Sequence, residues 1–184
     1  MAFPYGEGII FLLTLVTWAQ KHPSVRLYLL LSLAWLIGRI IDFLIIGEGS
    51  WHINYARLAV ILVFWLWSWH KAERCISALI LTLLSLLLLD LFLVNEPGIL
   101  SYEKWIYAGL SLVVAWLTTG SYWGMAAAAA GSVLINQGLI MFFFGGIVSH
   151  VSLPDAFIWN TGVAALALLG VIRFVKQGGV KYFY

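Results

Sequence analysis

The stretch from Ile76 to Val94, ISALILTLLSLLLLDLFLV, decides the fold class. It carries a single charge, Asp90. Coiled as an α-helix it is about 28 Å long, close to the roughly 30 Å hydrocarbon core of a bilayer. A barrel strand alternates apolar and polar residues. The runs Leu79 to Leu89 and Met141 to Phe144 do not, which argues against a β-barrel.

The rest of the chain has the same character. Of 184 residues 63% are hydrophobic and only 10% charged, with a mean hydropathy of +0.99. A soluble domain carries about 25% charged residues, so this chain has too little polar material to cover a globule in water. Seven spans of about 20 residues use about 140, leaving about 44 for loops and termini and excluding a sizeable soluble domain. The expected fold is therefore all-α: a single polytopic membrane helix bundle of about seven spans with short loops.

Apolar runs bounded by polar punctuation predict helices over residues 3–20, 27–46, 54–69, 76–94, 104–119, 123–144 and 155–174. Lys21-His22-Pro23 closes the first, because proline cannot continue the ladder. Gly47-Glu48-Gly49-Ser50, His70 to Arg74 and Asn95-Glu96-Pro97-Gly98 provide later turns. Met1 to Gly8 contains Glu7 and no base, unlike the basic start of a secretory signal, so the first apolar segment is expected to remain as a helix. The single cysteine, Cys75, permits neither an internal disulfide nor a thiolate cluster. A net charge of +2 gives no reason to expect a nucleic-acid partner.

Lys and Arg are retained on the cytoplasmic side of a membrane. With the N-terminus outside, the inner loops and tail hold Lys21, Arg26, Lys71, Arg74, Arg173, Lys176 and Lys181, and the outer segments only Lys104. Glu7, Glu48, Glu96, Glu103 and Asp155 fall outside, Glu73 inside. The expected orientation is N-out, C-in. Trp18, Trp69, Trp116 and Trp123 at inner ends, with Trp51, Trp105 and Trp159 at outer ends, fit an aromatic belt.

Charges within a bilayer need partners or water. Arg39 and Asp42 lie three apart on one helical face. With Ser32 and Trp35 they form a stripe expected to face other helices. At helical rise, Arg39 lies about 18 Å from the cytoplasmic ends, Asn136 about 20 Å, Asp90 about 21 Å, and Asp42 and Asn160 about 22 Å. Arg57 lies just above this slab, within reach of Asp42 or Asp90. The polar cluster of Arg39, Asp42, Arg57, Asp90, Asn136 and Asn160 has two readings. One is an interhelical network that fixes packing; the other is a binding site for a small solute or lipid headgroup.

The sixth helix places Gly124, Ala128, Gly131 and Ser132 at spacings that let backbones approach closely. Its partner is expected to be the seventh helix or another subunit, and its long apolar stretch is expected to break at Gly145-Gly146. His22, His52, His70 and His150 fall at loop edges, which suits interfacial residues better than a metal site. His-Glu-x-x-His, Gly-x-Ser-x-Gly and phosphate-loop patterns are missing. No catalytic residue, metal or cofactor is expected.

The segment Asn95-Glu96-Pro97-Gly98-Ile99-Leu100-Ser101-Tyr102-Glu103-Lys104-Trp105, the polar stretch Asn136-Gln137-Gly138 and the hydropathy pattern resemble the YphA-type membrane proteins of Firmicutes. These are small polytopic proteins without an assigned activity. The resemblance implies a bacterial cytoplasmic membrane and no chemistry. The expected function is that of an accessory or interaction subunit with lipids, a second copy or another membrane protein as partners. The alternative is a small-solute or lipid carrier or channel using the polar slab.

Overall fold

The computed structural model describes residues 5–45, 51–72, 75–95, 103–144 and 151–176. Among them are seven helices, α1 (Tyr5–Ala19), α2 (Val25–Leu44), α3 (Tyr55–Lys71), α4 (Ile76–Asn95), α5 (Glu103–Thr118), α6 (Tyr122–Phe144) and α7 (Ala156–Lys176). Each end falls within two residues of the boundary expected from the apolar runs. Three helices, α2, α4 and α6, are long and apolar enough to cross a membrane. Leu, Ile, Val and Phe side chains such as Leu15, Phe43, Leu88, Leu117 and Phe142 project outward from the bundle, as a lipid-facing surface requires. Lys21 ends α1 with a left-handed backbone (φ 50°), and the His22 N–H returns to the Thr17 carbonyl.

The structure adds an element without a signature in the sequence. β1 (Trp51–Ile53) and β2 (Val151–Leu153) pair in parallel, Trp51 opposite Val151 and Ile53 opposite Leu153. The ladder continues into a bond from the Asn54 N–H to the Leu153 carbonyl at 2.7 Å. Each strand leads straight into a helix, so α3 and α7 start at one end of the bundle. Contacts between Arg57 and Glu7 tie the start of α1 to that end, and contacts between Lys104 and Asp155 tie the start of α5 to it. Odd-numbered helices therefore begin at this rim and even-numbered helices run back toward it.

Helix neighbours follow the cycle α1, α2, α3, α6, α5, α7 and back to α1. α4 lies outside this ring, packed on α5 and α6. Its buried residues, Ala78, Thr82 and Leu86, are four apart and form one stripe, leaving the other faces outward. α1 buries Gly6, Ile10, Thr14 and Thr17, and α2 buries Leu27, Leu31, Ala34 and Gly38, stripes of the same kind.

Small residues set the distances between helices. A Cβ on Gly38 would overlap the backbone of Ala56, with the Tyr55 carbonyl oxygen at 2.6 Å, so α2 and α3 meet backbone to backbone. Gly131 makes room for the Trp65 indole of α3, and a Cβ there would also stand 2.8 Å from Leu79 Cδ1 of α4. Ala128 and Ser132 are fully buried. Thus within the chain α6 packs chiefly on α3, α4 and α5, and not on α7, one of the two partners expected for its small-residue stripe. Gly124 serves a cap instead: its N–H donates to Ser121 Oγ at 3.0 Å, where a Cβ would crowd the hydroxyl. α6 continues unbroken through Asn136-Gln137-Gly138 to Phe144, and the expected break at Gly145-Gly146 lies outside the described residues.

Gly38→Ala should destabilise the protein by about 1 to 3 kcal/mol through overpacking. Gly109→Ala, where a Cβ meets nothing within 4 Å, should leave stability unchanged or slightly raised. Thermal unfolding in detergent checks both.

Candidate functional site

The six polar residues singled out in the sequence divide among three local arrangements at the rim end of the bundle. In the first, Asp42 near the end of α2 accepts the Tyr55 N–H through Oδ1 at 2.7 Å, while Oδ2 faces Arg39 Nη1 at 3.7 Å. Asp42 thus satisfies a donor in the first turn of α3, which Asn54 also caps through the Arg57 N–H at 3.0 Å. The Ser32 end of the expected inward stripe is buried, but the Arg39 side chain is 57% exposed. Its guanidinium lies 5.8 Å from the Trp35 ring centroid. A long stem close to a helix end allows the charge to leave the packed face.

The second arrangement joins α1, α3 and α7. Arg57 pairs with Glu7, Nε to Oε1 at 3.0 Å, rather than with either aspartate, and both side chains are only 13% exposed. Next to them the Gly6 N–H donates to Asn160 Oδ1 at 2.9 Å. Asn160 is buried and caps α1 from the far end of the sequence. A Cβ on Gly6 would stand 2.8 Å from both Asn160 Oδ1 and Trp159 Nε1, so only glycine lets α1 approach α7 this closely. Trp159 is therefore a core residue, 4% exposed, and not part of a lipid-facing belt.

The third arrangement joins α4, α5 and α6. Asn136, fully buried, donates through Nδ2 to Asp90 Oδ2 at 2.6 Å and to Tyr107 Oη at 2.7 Å. Its Oδ1 is buried without a hydrogen-bond partner. Asp90 continues the Ala78, Thr82 and Leu86 stripe of α4, which explains why it turns toward α6. All three arrangements cross between helices, and each supplies hydrogen bonds that a bilayer cannot.

A cavity of about 120 Å³ occupies the centre of the ring. Ile10, Leu31, Val60, Leu112, Val133 and Gly162 represent the six ring helices in its wall, and α4 contributes nothing to it. The wall is apolar apart from a few groups such as Tyr28, Ser111 and Tyr122. Ser111 Oγ donates to the Ala108 carbonyl, and Tyr122 Oη donates to the Leu166 carbonyl at 3.0 Å. Arg39, Asp42, Arg57, Asp90, Asn136 and Asn160 are not among the lining residues. The polar slab and the cavity are separate features.

Sequence reasoning misses the roles of Glu7, Tyr107 and Trp159 and the ion pair of Lys104 with Asp155, Nζ to Oδ2 at 3.1 Å. A signal for Glu7 exists: an acid in the first turn of an apolar helix complements the helix dipole. Asp155 has a similar one, since its Oδ1 accepts the Phe157 and Ile158 N–H groups at the start of α7. Among the described residues, no group of three His, Cys, Asp or Glu side chains is placed to hold a metal ion. His150 lies outside the described residues.

Removing one member of the Glu7 and Arg57 pair strands a buried charge, an effect worth about 3 to 5 kcal/mol. Glu7→Gln and Arg57→Met should each lower the unfolding temperature, and the double variant should lose less than the sum. At Asp42, Asn keeps an acceptor for the Tyr55 N–H and should be tolerated, whereas Ala should cost about 1 kcal/mol. Comparisons of the chain with family models, with curated proteins and with solved structures return no match.

Proposed function

We propose that the chain is a multi-pass protein of a bacterial cytoplasmic membrane. It crosses the membrane seven times, N-out and C-in, and acts as a non-enzymatic accessory or interaction subunit. The observation that carries this reading is the use made of the polar groups within the apolar helices. Asp42, Asn54, Asn160 and Asp155 accept hydrogen bonds from first-turn N–H groups, and Glu7 and Arg57 neutralise each other. These bonds hold a scaffold together.

Orientation is supported by the placement of bases. Lys21 and Lys71 are exposed at the end opposite the rim, where a cytoplasmic face would hold them. Lys104 stands at the rim in an ion pair with Asp155. The resemblance to YphA-type proteins supports the choice of membrane. A second reading, a lipid carrier, is favoured by the central cavity, whose wall suits an apolar guest far better than a polar solute.

Two measurements test the first reading. In a Cys75→Ala background, Asn95→Cys should react with an impermeant maleimide in intact cells and Gln20→Cys only after lysis; the reverse pattern overturns the orientation. Native Cys75 is a poor reporter, because burial pushes its thiol up from its ordinary value. A raised thiol pKa leaves less thiolate at neutral pH, so alkylation of Cys75 should be slower than that of Gln20→Cys at pH 7, with the gap narrowing as pH rises. Purification in mild detergent should recover a stable partner or a homo-oligomer, and a monodisperse monomer without a partner counts against the accessory role.

A further inference from the structure

We propose that the central cavity is a binding site for the acyl chain of a lipid, taken laterally from the surrounding bilayer. The inference rests on the membrane-spanning reading above and goes beyond the accessory role. Its geometric basis is that every ring helix contributes to one apolar wall, while the most apolar helix of the protein, α4, stands outside it.

The size of the space limits the guest. An apolar cavity of about 150 Å³ stays dry and accepts benzene, so one of about 120 Å³ suits a single narrow hydrocarbon such as the end of an unbranched chain. A fused-ring lipid is too wide. The wall is apolar, and no Asp, Glu, Lys or Arg lines it. Dehydrating a charged or strongly polar guest there would go uncompensated, whereas an acyl chain leaves one hydrocarbon environment for another.

Small residues mark the space as part of the architecture. At Gly6, Gly38 and Gly131 glycine is used for close contact. Gly162 on α7 does the opposite: it lines the cavity, and a Cβ there meets nothing within 4 Å. Ala129 and Ala130 face it from α6. Larger side chains at these positions would fill the interior, and dispersion contacts now missing would be regained. α7 is also the natural moving wall, because its seams with α1 and α5 are the least extensive in the ring. At the rim the α5 seam is pinned by Lys104 with Asp155 and by the edge-on contact of Trp105 with Phe157. Chain entry is therefore assigned to the stretch of that seam below the rim.

Photolabelling in vesicles tests the proposal. The intact protein is reconstituted in phosphatidylethanolamine and phosphatidylglycerol with a trace of phospholipid whose acyl chain carries a diazirine, and labelled residues are mapped by mass spectrometry. A parallel arm uses the free fatty acid with the same diazirine. Labels on the inward residues Val60, Val133 and Leu166 are expected in addition to labels on outward residues such as Leu88 and Leu168. Inward labelling by either probe supports an acyl-chain site, and the two arms identify whether phospholipid or free acid supplies the chain. Gly162→Leu should abolish inward labelling and leave outward labelling unchanged. Val133→Phe, on the α6 wall, provides the same test independently. Outward labels alone in the wild-type protein overturn the site but leave the membrane reading intact. Labels at neither set overturn both. Inward labelling that persists in both filled variants also overturns the site.

Discussion

Four helices begin at one end of this bundle, and the N–H groups of their first turns have to be satisfied there. An isolated helix leaves four such donors at its start, and in an apolar surrounding water is not available to take them. The chain meets this demand with acceptors drawn from near and far. Asn54 and Asp155 serve their own helices, Asp42 reaches from α2 to α3, and Asn160 reaches from α7 to α1. The helix dipoles add to the same requirement, since positive ends meeting at one rim favour acidic neighbours. Glu7, Asp42 and Asp155 are there. The uneven distribution of acids along the sequence thus follows helix direction.

The ring follows from a different balance. Lipid chains are as apolar as leucine, so apolar burial gives little preference for one helix neighbour over another. What selects neighbours is close backbone approach and interhelical hydrogen bonding. Gly38 against Ala56 fixes α2 on α3; Thr14 Oγ1 beside Ser32 Oγ at 2.9 Å fixes α1 on α2; Asn136 between Asp90 and Tyr107 gathers α4, α5 and α6. Six helices held at their contact lines enclose a space that their own small residues do not fill. The remaining helix, α4, has one buried stripe and otherwise outward apolar side chains.

Helix positions are legible because length and hydropathy alone determine them in a bilayer, and the turns at Lys21-His22-Pro23 and His70 to Arg74 sharpen the boundaries. The rim is partly legible. Depth arithmetic places Asp42, Asp90, Asn136 and Asn160 near one level, yet it carries no information about rotation around each helix axis or about which helices are neighbours. Hence depth matches Arg57 with aspartates at a similar level, while its partner Glu7 lies fifty residues away on α1. Spacing identifies Gly131 as a close-packing position but not its partner helix, since a stripe of small residues says how near a neighbour can come and not which neighbour it is. Trp159 has the sequence position of an interfacial residue and belongs to the core, because Gly6 leaves room for it.

The pairing of β1 with β2 bears on the order in which the protein is assembled during synthesis. It joins residues a hundred positions apart, and the same long reach recurs where Asn160 caps α1. The first three helices can form their mutual contacts as soon as they have been made, including the Glu7 and Arg57 pair. The start of α1, however, keeps an unmet donor at Gly6 until α7 arrives to close the circle. For most of its synthesis, therefore, the bundle is open along the side that α7 will close.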